Sequence, residues 1–221
     1  MRVDVVTLFP DMFKSPFAES IVGRAVKNKK IILKFHNLRD WALDSYGTVD
    51  DKPFGGGEGM VLRIEPIDQA IADIKKKYWK GNKGLVIAMS AKGEIYKQNI
   101  AEDLSKIENI IILCGHYEGF DQRILDNLVD KVISIGDYIL TGGEIPAMVV
   151  IDSIARLISG VLGKDESSQN DSFSKSIGRK KQYARFTRPR EYNGWKVPEV
   201  LLSGDPKKIK EWEKEELINK K

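Results

Sequence analysis

The chain has 221 residues, of which 42% are hydrophobic and 31% are charged, and its formal net charge is +4. This composition allows a substantial core, in one α/β domain with an appendage or in two small domains. The single cysteine excludes an internal disulfide framework, the two histidines argue against a structural zinc site, and no apolar run has the length of a membrane span.

The first third of the chain is predicted to hold strands, helices and one long polar loop. The first helix has two start signals: Ser15 is a preferred N-cap residue, and Pro16 suits the first helical position. In chain order we predict a strand at 3–9, a helix at 16–28, a strand at 31–35, a glycine-rich loop at 44–60 and a helix at 65–78.

The middle of the chain alternates between the two kinds of element. We predict strands at 85–89, 110–114 and 132–135, and helices at 95–104, 121–129 and 146–159. Such alternation is typical of a mostly parallel sheet that is covered by helices on both faces.

The character of the chain changes after Leu162. Residues 163–176 are polar and serine-rich, which indicates a linker. Residues 178–190 carry six basic side chains and no acid, so they would attract phosphate, or else form a solvated basic linker. The last predicted helix begins at Pro206, with Asp205 as its N-cap. Before it stands a small apolar cluster, namely Trp195, Val197, Val200, Leu201 and Leu202.

Glycine-containing loops follow three successive predicted strands, at 90–93, 115–119 and 136–143. In a parallel sheet such loops meet at the carboxyl edge and can share a small-molecule pocket. Neither a G-x-G-x-x-G nor a G-K-[ST] pattern is present, so a dinucleotide or P-loop site is not supported. The alternative is that these glycines only turn the chain.

Several single residues allow two interpretations. Glu118 could orient a ligand amine or be an exposed turn carboxylate, and Arg156 could serve a site or a helix-surface ion pair. His116 is more typical of a packing residue, Cys114 of a small buried hydrophobe, and Asp171 by itself of a linker carboxylate.

Several long motifs closely resemble those of the TrmD-type tRNA (guanine-N1)-methyltransferases, in the family's order and over nearly the whole chain. They are L-F-P-D-M-F, G-R-A-V-K-N, T-V-D-D-K-P-F-G-G-G-E-G-M, I-L-C-G-H-Y-E-G-F-D-Q-R (112–123), S-I-G-D-Y-I-L-T-G-G-E-I-P-A-M (134–148), G-V-L-G (160–163) and V-P-E-V-L-L-S-G.

The resemblance implies the trefoil-knotted α/β fold of the SPOUT class, with a knotted domain at 1–163, a flexible basic linker at 164–182 and a small helical tRNA-binding domain at 183–221. It implies S-adenosylmethionine as methyl donor. The residues that would bind the donor by similarity are Ser90, Gly115, Tyr117, Glu118, Ile135, Gly136, Asp137, Tyr138, Ile139, Leu140, Gly142 and Gly143.

The resemblance also implies methylation of N1 of guanosine 37, beside the anticodon, in tRNAs with G36-G37. Asp171 matches the family's general base, and Arg156 matches the arginine that stabilises charge on O6. Asp50, with Gly57 and Gly59, resembles the part that checks the neighbouring guanosine, and Arg185 and Arg188 are expected to bind tRNA.

The resemblance implies a cytoplasmic homodimer that needs Mg²⁺ together with tRNA during transfer. It implies no metal site on the protein and neither DNA nor membrane as a partner. The alternatives are a SPOUT methyltransferase for another RNA and a non-catalytic RNA-binding protein of the same fold.

The chain departs from the family pattern in two places. Ala91 follows Ser90 where the family commonly has proline, which affects the loop on the adenosine side. The segment after Phe173 is longer and more basic than usual, so the spacing from Asp171 to Arg188 differs from the family's, and we expect part of the tRNA grip to lie in this segment.

Overall fold

The computed structural model describes residues 1–161 and 171–219, with side chains up to residue 217. The chain divides into two compact units, Met1–Gly163 and Lys164–Lys221, and each is described by itself. The predicted linker at 164–182 lies partly outside the described residues.

The first unit is built on a five-stranded sheet with the strand order β2-β1-β6-β5-β7, in which all pairs are parallel. The predicted parallel α/β architecture is therefore confirmed. Its strands are β1 (Arg2–Thr7), β2 (Ile32–Asn37), β5 (Gly84–Ile95), β6 (Asn109–Cys114) and β7 (Lys131–Ser134), and a small antiparallel pair is formed by β3 (Asp50–Asp51) and β4 (Val61–Leu62).

Helices cover both faces of this sheet, as the alternating pattern predicts. One apolar cluster packs one face of the central strands against α1, α3 and α5, and a second packs the other face against α2 and α4. Every residue of β6 is buried, because this strand is enclosed on both faces. The helices are α1 (Ser20–Lys27), α2 (Ile64–Ile74), α3 (Gln98–Leu104), α4 (Gln122–Asn127) and α5 (Glu144–Ala155).

The first helix begins later than predicted. Its N-cap is Glu19, not Ser15, and residues 14–18 form turns. The rings of Phe13 and Phe17 stack, with centroids 6.2 Å apart, which draws Phe17 into the core at 8% exposure. The chain then turns back against Gly23, where a β-carbon would lie 2.6 Å from the Ala18 carbonyl oxygen. Tertiary packing therefore overrides the local Ser-Pro start signal.

The strand β5 is longer than predicted, and the helix expected at 95–104 correspondingly starts at Gln98. A bulge between Met89 and Glu94 lets the strand continue along β7. Gly93 makes this possible, because a β-carbon there would lie 2.5 Å from the Val132 carbonyl carbon. The helix α2 is likewise followed by an unpredicted π-helical turn, Lys75–Trp79.

The second unit has a β-hairpin, β8 (Glu191–Tyr192) with β9 (Trp195–Lys196), and two helices, α6 (Glu199–Leu202) and α7 (Pro206–Asn219). Asp205 caps α7 as predicted, since its carboxylate accepts from the Lys207 amide at 2.9 Å. The predicted apolar cluster is not a buried core, because Trp195 is 74% exposed and Leu202 37%. A two-stranded hairpin is too small to enclose an indole ring.

No helix in the described parts of the chain is long and apolar enough to cross a membrane.

Candidate functional site

A cavity of about 350 Å³ opens at the carboxyl edge of the sheet, where the glycine-containing loops of β5, β6 and β7 meet. The strand order explains this meeting, because β6, β5 and β7 are neighbours and their carboxyl ends share one edge. The cavity is lined by Met89, Ser90, Ala91, Lys92, Gly115, His116, Tyr117, Glu118, Gly119, Phe120, Ile133, Ser134, Ile135, Gly136, Tyr138, Ile139, Leu140, Thr141, Gly142, Gly143 and Pro146.

The third loop lies directly on the backbone of the second. The Gly143 amide donates to the Gly115 carbonyl oxygen at 2.7 Å, and His116 pairs with Gly142 as an isolated antiparallel bridge. A β-carbon on Gly143 would lie 2.7 Å from Cys114 Cα, so only glycine permits this approach. The glycines therefore join two loops closely, which is more than turning the chain.

The second loop is joined in turn to the long glycine-rich loop at 44–60. The Glu118 amide donates to the Met60 carbonyl oxygen at 3.0 Å, and the Leu62 amide donates to the Gly119 carbonyl oxygen at 2.9 Å. A β-carbon on Gly59 would lie 2.6 Å from Glu118 Cγ. Gly59 itself has a φ of +87°, which favours glycine.

Beneath the cavity lies a buried carboxylate that the sequence reasoning did not identify. Glu144 is 3% exposed, and its Oε1 accepts a hydrogen bond from Thr7 Oγ1 at 2.7 Å. Burial, with the Glu144 carboxylate adding to it, raises the pKa of the Cys114 thiol well above its ordinary value. The available signal was an acid in the first turn of an otherwise apolar helix.

His116 Nδ1 is buried and has no hydrogen-bond partner among the described residues. Its ring packs edge-on against Phe9 and Tyr117, with centroid distances of 5.1 and 4.8 Å. This agrees with the interpretation of His116 as a packing residue. Tyr117 has a φ of +57°, which places its half-exposed ring beside the cavity.

All but one of the residues expected to bind the methyl donor line this cavity. Asp137 does not, and donor binding by the whole set remains a prediction. Ser90 lies at the bulge of β5, where its hydroxyl accepts from the Lys92 amide at 3.3 Å. Lys92 and Thr141 line the cavity within the predicted loops, although neither was singled out. Phe120 and Pro146 lie just outside those loops, and only the fold shows that they face the cavity.

The other predicted site residues lie outside this cavity. Asp50 pairs with Leu62 across β3 and β4, and Gly57 lies in the glycine-rich loop with nothing within 4 Å of the β-carbon position. Arg156 is the exposed C-cap of α5.

Three predicted residues belong to the second unit. The Asp171 carbonyl oxygen accepts from the Ser174 amide at 3.1 Å. Arg185 lies 5.2 Å from the Tyr183 ring centroid and is exposed, as is Arg188. Over residues 1–161 and 171–219, no three His, Cys, Asp or Glu side chains converge as a metal site requires.

Comparisons with known proteins indicate the same family over nearly the whole chain. The model of the family described as tRNA (Guanine-1)-methyltransferase TrmD matches residues 1–221. A tRNA (guanine-N(1)-)-methyltransferase of Dehalococcoides mccartyi is 47% identical over 220 residues, which are 100% of this chain and 87% of that protein. One of the same name from Desulforamulus reducens is 47% identical over 218 residues, 99% of this chain and 84% of that protein.

A solved structure is similar as well. The crystal structure of tRNA (m1G37) methyltransferase from Aquifex aeolicus superposes with a TM-score of 0.78 at 40% identity. The match covers 96% of this chain and 87% of that one.

Proposed function

The chain belongs to the tRNA (guanine-1)-methyltransferase TrmD family, and we propose that it methylates N1 of guanosine 37 in tRNAs that carry G36-G37. The family match over residues 1–221, at 47% identity to a named relative, is the observation that supports this most strongly. The three joined loops at the sheet edge supply a site of the size that such an activity needs.

The cavity residues fit S-adenosylmethionine as the methyl donor. The volume of about 350 Å³ lies within the range of small-molecule sites. Gly115, Gly142 and Gly143 leave backbone close to the ligand space, and the Glu118 carboxylate suits a ligand ammonium group. When bound, the donor supplies a methyl group on a positively charged sulfur.

The remaining chemistry is assigned to two side chains. N1 of guanine carries a proton at neutral pH, so its lone pair is available only after a base removes that proton. We assign this step to Asp171 and assign to Arg156 the stabilisation of negative charge that develops on O6. Both assignments rest on the family motifs that these residues match.

We assign recognition of the guanosine before the target to Asp50 and the loop that contains Gly57 and Gly59. The contact between Gly59 and Glu118 supports this assignment, because it places that loop against the donor cavity. Arg185 and Arg188 are exposed cations that suit tRNA phosphates.

The finer architecture is also a proposal. The tight packing of 142–143 on 114–115, and of Gly93 on 132–133, supports a trefoil knot formed by β5 to β7 and their loops. Ile145 and Val149 on α5 are 47% and 42% exposed, which supports a homodimer that covers them. We retain the division into 1–163, 164–182 and 183–221, and a cytoplasmic location where tRNA is found. Any Mg²⁺ is proposed to act with tRNA, and no step is assigned to it.

The test is methyl transfer from labelled S-adenosylmethionine to unmodified tRNA transcripts. A transcript with G36-G37 should accept label, and the same transcript with A37 should not. Transfer to ribosomal RNA alone would favour a SPOUT methyltransferase for another RNA, and donor binding without any transfer would favour a non-catalytic RNA-binding protein.

A further inference from the structure

A second cavity, of about 480 Å³, lies on the α2 side of the first unit, at the edge strand β2. It is lined by His36, Trp41, Asp73, Ile74, Lys76, Lys77 and Tyr78. None of these residues lines the cavity at the carboxyl edge of the sheet, so the two cavities are separate.

A buried network holds one wall of this cavity. The Asp4 carboxylate is fully buried, accepts two hydrogen bonds from the Arg2 guanidinium at 2.6 and 2.8 Å, and lies 2.7 Å from His36 Nε2. The Arg2 guanidinium also covers one face of the Tyr78 ring, 3.5 Å from its centroid. The imidazole and the phenol are therefore both positioned before any ligand binds.

The neighbouring Trp41 ring, whose centroid lies 6.0 Å from that of the His36 ring, is held in a similar way. The Trp41 indole N–H donates to Asp73 Oδ2 at 2.9 Å, which fixes the plane of the ring. Trp41 is partly exposed, so its ring is available as a stacking platform. His36 Nε2 is engaged by Asp4, and this leaves Nδ1 as the ring atom that can meet a ligand.

The mouth of the cavity is cationic. Lys76 and Lys77 are exposed on the π-helical turn Lys75–Trp79, which interrupts the α-helical pattern at the cavity. Such turns re-aim side chains and are frequent at functional sites. The lining therefore combines two aromatic rings, Trp41 and Tyr78, with polar groups and with the two cations Lys76 and Lys77.

This arrangement selects the kind of ligand. The charges of Lys76 and Lys77 outweigh that of Asp73, so the lining favours an anionic group, and the Trp41 ring offers a face for a flat group. A ligand with a flat heterocycle at one end and an anionic group at the other satisfies the whole lining, because bases stack on aromatic rings and phosphates attract lysine. We propose that this cavity is a second ligand site that takes a nucleoside monophosphate, with the base on Trp41 and the phosphate at Lys76 and Lys77.

The experiment is calorimetric titration of the full chain with AMP and GMP. Saturating S-adenosylhomocysteine is present throughout, so that the proposed donor site is occupied. Saturable binding is expected, and inorganic phosphate or the nucleoside alone should bind at least about tenfold more weakly, because each lacks one half of the recognised chemistry. A 5′-phosphorylated trinucleotide in the same titration separates a free nucleotide from one at an RNA end.

Two charge-matched variants make the test specific. The K76E/K77E double variant should weaken binding at least about tenfold, whereas the K80E/K83E variant should change it by less than about twofold. All four lysines are exposed, so loss of folding is not expected to confuse the result. The proposal is overturned if no mononucleotide or trinucleotide binds saturably, or if both double variants bind equally well. Methyl transfer is measured separately, so failure of this site and failure of the proposed function are distinct results.

Discussion

Gly59 and Glu118 are in such close contact that a β-carbon on the glycine would lie 2.6 Å from Glu118 Cγ and 2.8 Å from Oε1. The first residue belongs to the glycine-rich loop at 44–60, and the second lines the cavity at the carboxyl edge of the sheet. The glycine-rich loop therefore packs directly against a side chain of the cavity wall at this point.

Replacement of Gly59 by alanine should displace the Glu118 side chain and weaken donor binding. Gly55 is the matched control, because its φ of +86° is nearly that of Gly59 at +87° while nothing lies within 4 Å of its β-carbon position. We expect Gly59→Ala to raise the Kd for S-adenosylhomocysteine by about tenfold relative to Gly55→Ala. The reason is the loss of one charge-assisted contact, that between the Glu118 carboxylate and the ligand ammonium group. Calorimetry measures both, and equal Kd values would show that the contact does not matter for the donor.

Asp171→Asn tests the assigned base. The amide cannot accept the N1 proton, so turnover should fall by about 10²–10⁴-fold while the Kd for S-adenosylhomocysteine stays within about twofold. Single-turnover kinetics and calorimetry separate these quantities. Asp68→Asn, at an exposed site on α2, is the control. An equal loss of binding and turnover would mean that Asp171 has been assigned the wrong role.

The reactivity of the Cys114 thiol should measure how tightly the protein is packed beside the cavity, although this residue has no role in methyl transfer. Its thiol is 3% exposed and its pKa is raised, first by burial and then by Glu144, so it should resist a thiol reagent at pH 8. Because it is the single cysteine, one equivalent should react in denaturant. S-adenosylhomocysteine at 100 times its Kd should slow native labelling by about a hundredfold, if labelling requires opening of this region. Rapid labelling of the native protein would contradict the described packing.

The buried Asp4 carboxylate should make the stability of the fold depend on pH. Burial alone would raise the pKa of this carboxyl, but the hydrogen bonds from His36 and Arg2 outweigh it, so the pKa is lowered. Because the pKa of Asp4 is lower in the folded state, its ionised carboxylate stabilises the fold. This stabilisation is fully present above the unfolded pKa of about 3.9 and is lost as the pH falls through the pKa of the folded state.

Asp4→Asn should therefore lower the free energy of unfolding by about 3–5 kcal/mol at pH 7, as expected for a broken buried ion pair. The difference from the wild-type protein should narrow below about pH 4, where the unfolded carboxyl is protonated. Urea unfolding at both pH values measures this. A difference that persists unchanged in acid would show that lost packing, and not charge, is responsible.

Much of the first unit follows from local sequence signals. The alternation of strand and helix patterns predicts the parallel sheet. The helix predicted at 121–129 is also present, and the Asp121 side chain caps it by accepting from the Arg123 amide at 2.9 Å. The glycines of the three loops indicated a shared pocket at the carboxyl edge, because parallel strands bring their carboxyl ends together.

The features that were missed depend on contacts between distant parts of the chain. The start of α1 depends on Phe17, whose ring stacks on that of Phe35 at 6.1 Å between centroids, and no local pattern contains this contact. The extension of β5 to Ile95 depends on the backbone of β7 approaching Gly93. The bond from Thr7 to Glu144 joins residues 137 positions apart, so the sequence alone does not show that the Glu144 carboxylate is buried and hydrogen-bonded.

The central claim is transfer of one methyl group to N1 of guanosine 37, and nucleoside mass mapping tests it most directly. A tRNA transcript with G36-G37 is incubated with the protein and S-adenosylmethionine, digested, and mapped by fragment mass and by comparison with N1- and N2-methylguanosine standards. We expect one methyl group per tRNA, at N1 of the guanosine at position 37. Methylation at another atom or position, or none in a protein that binds the donor, would contradict it.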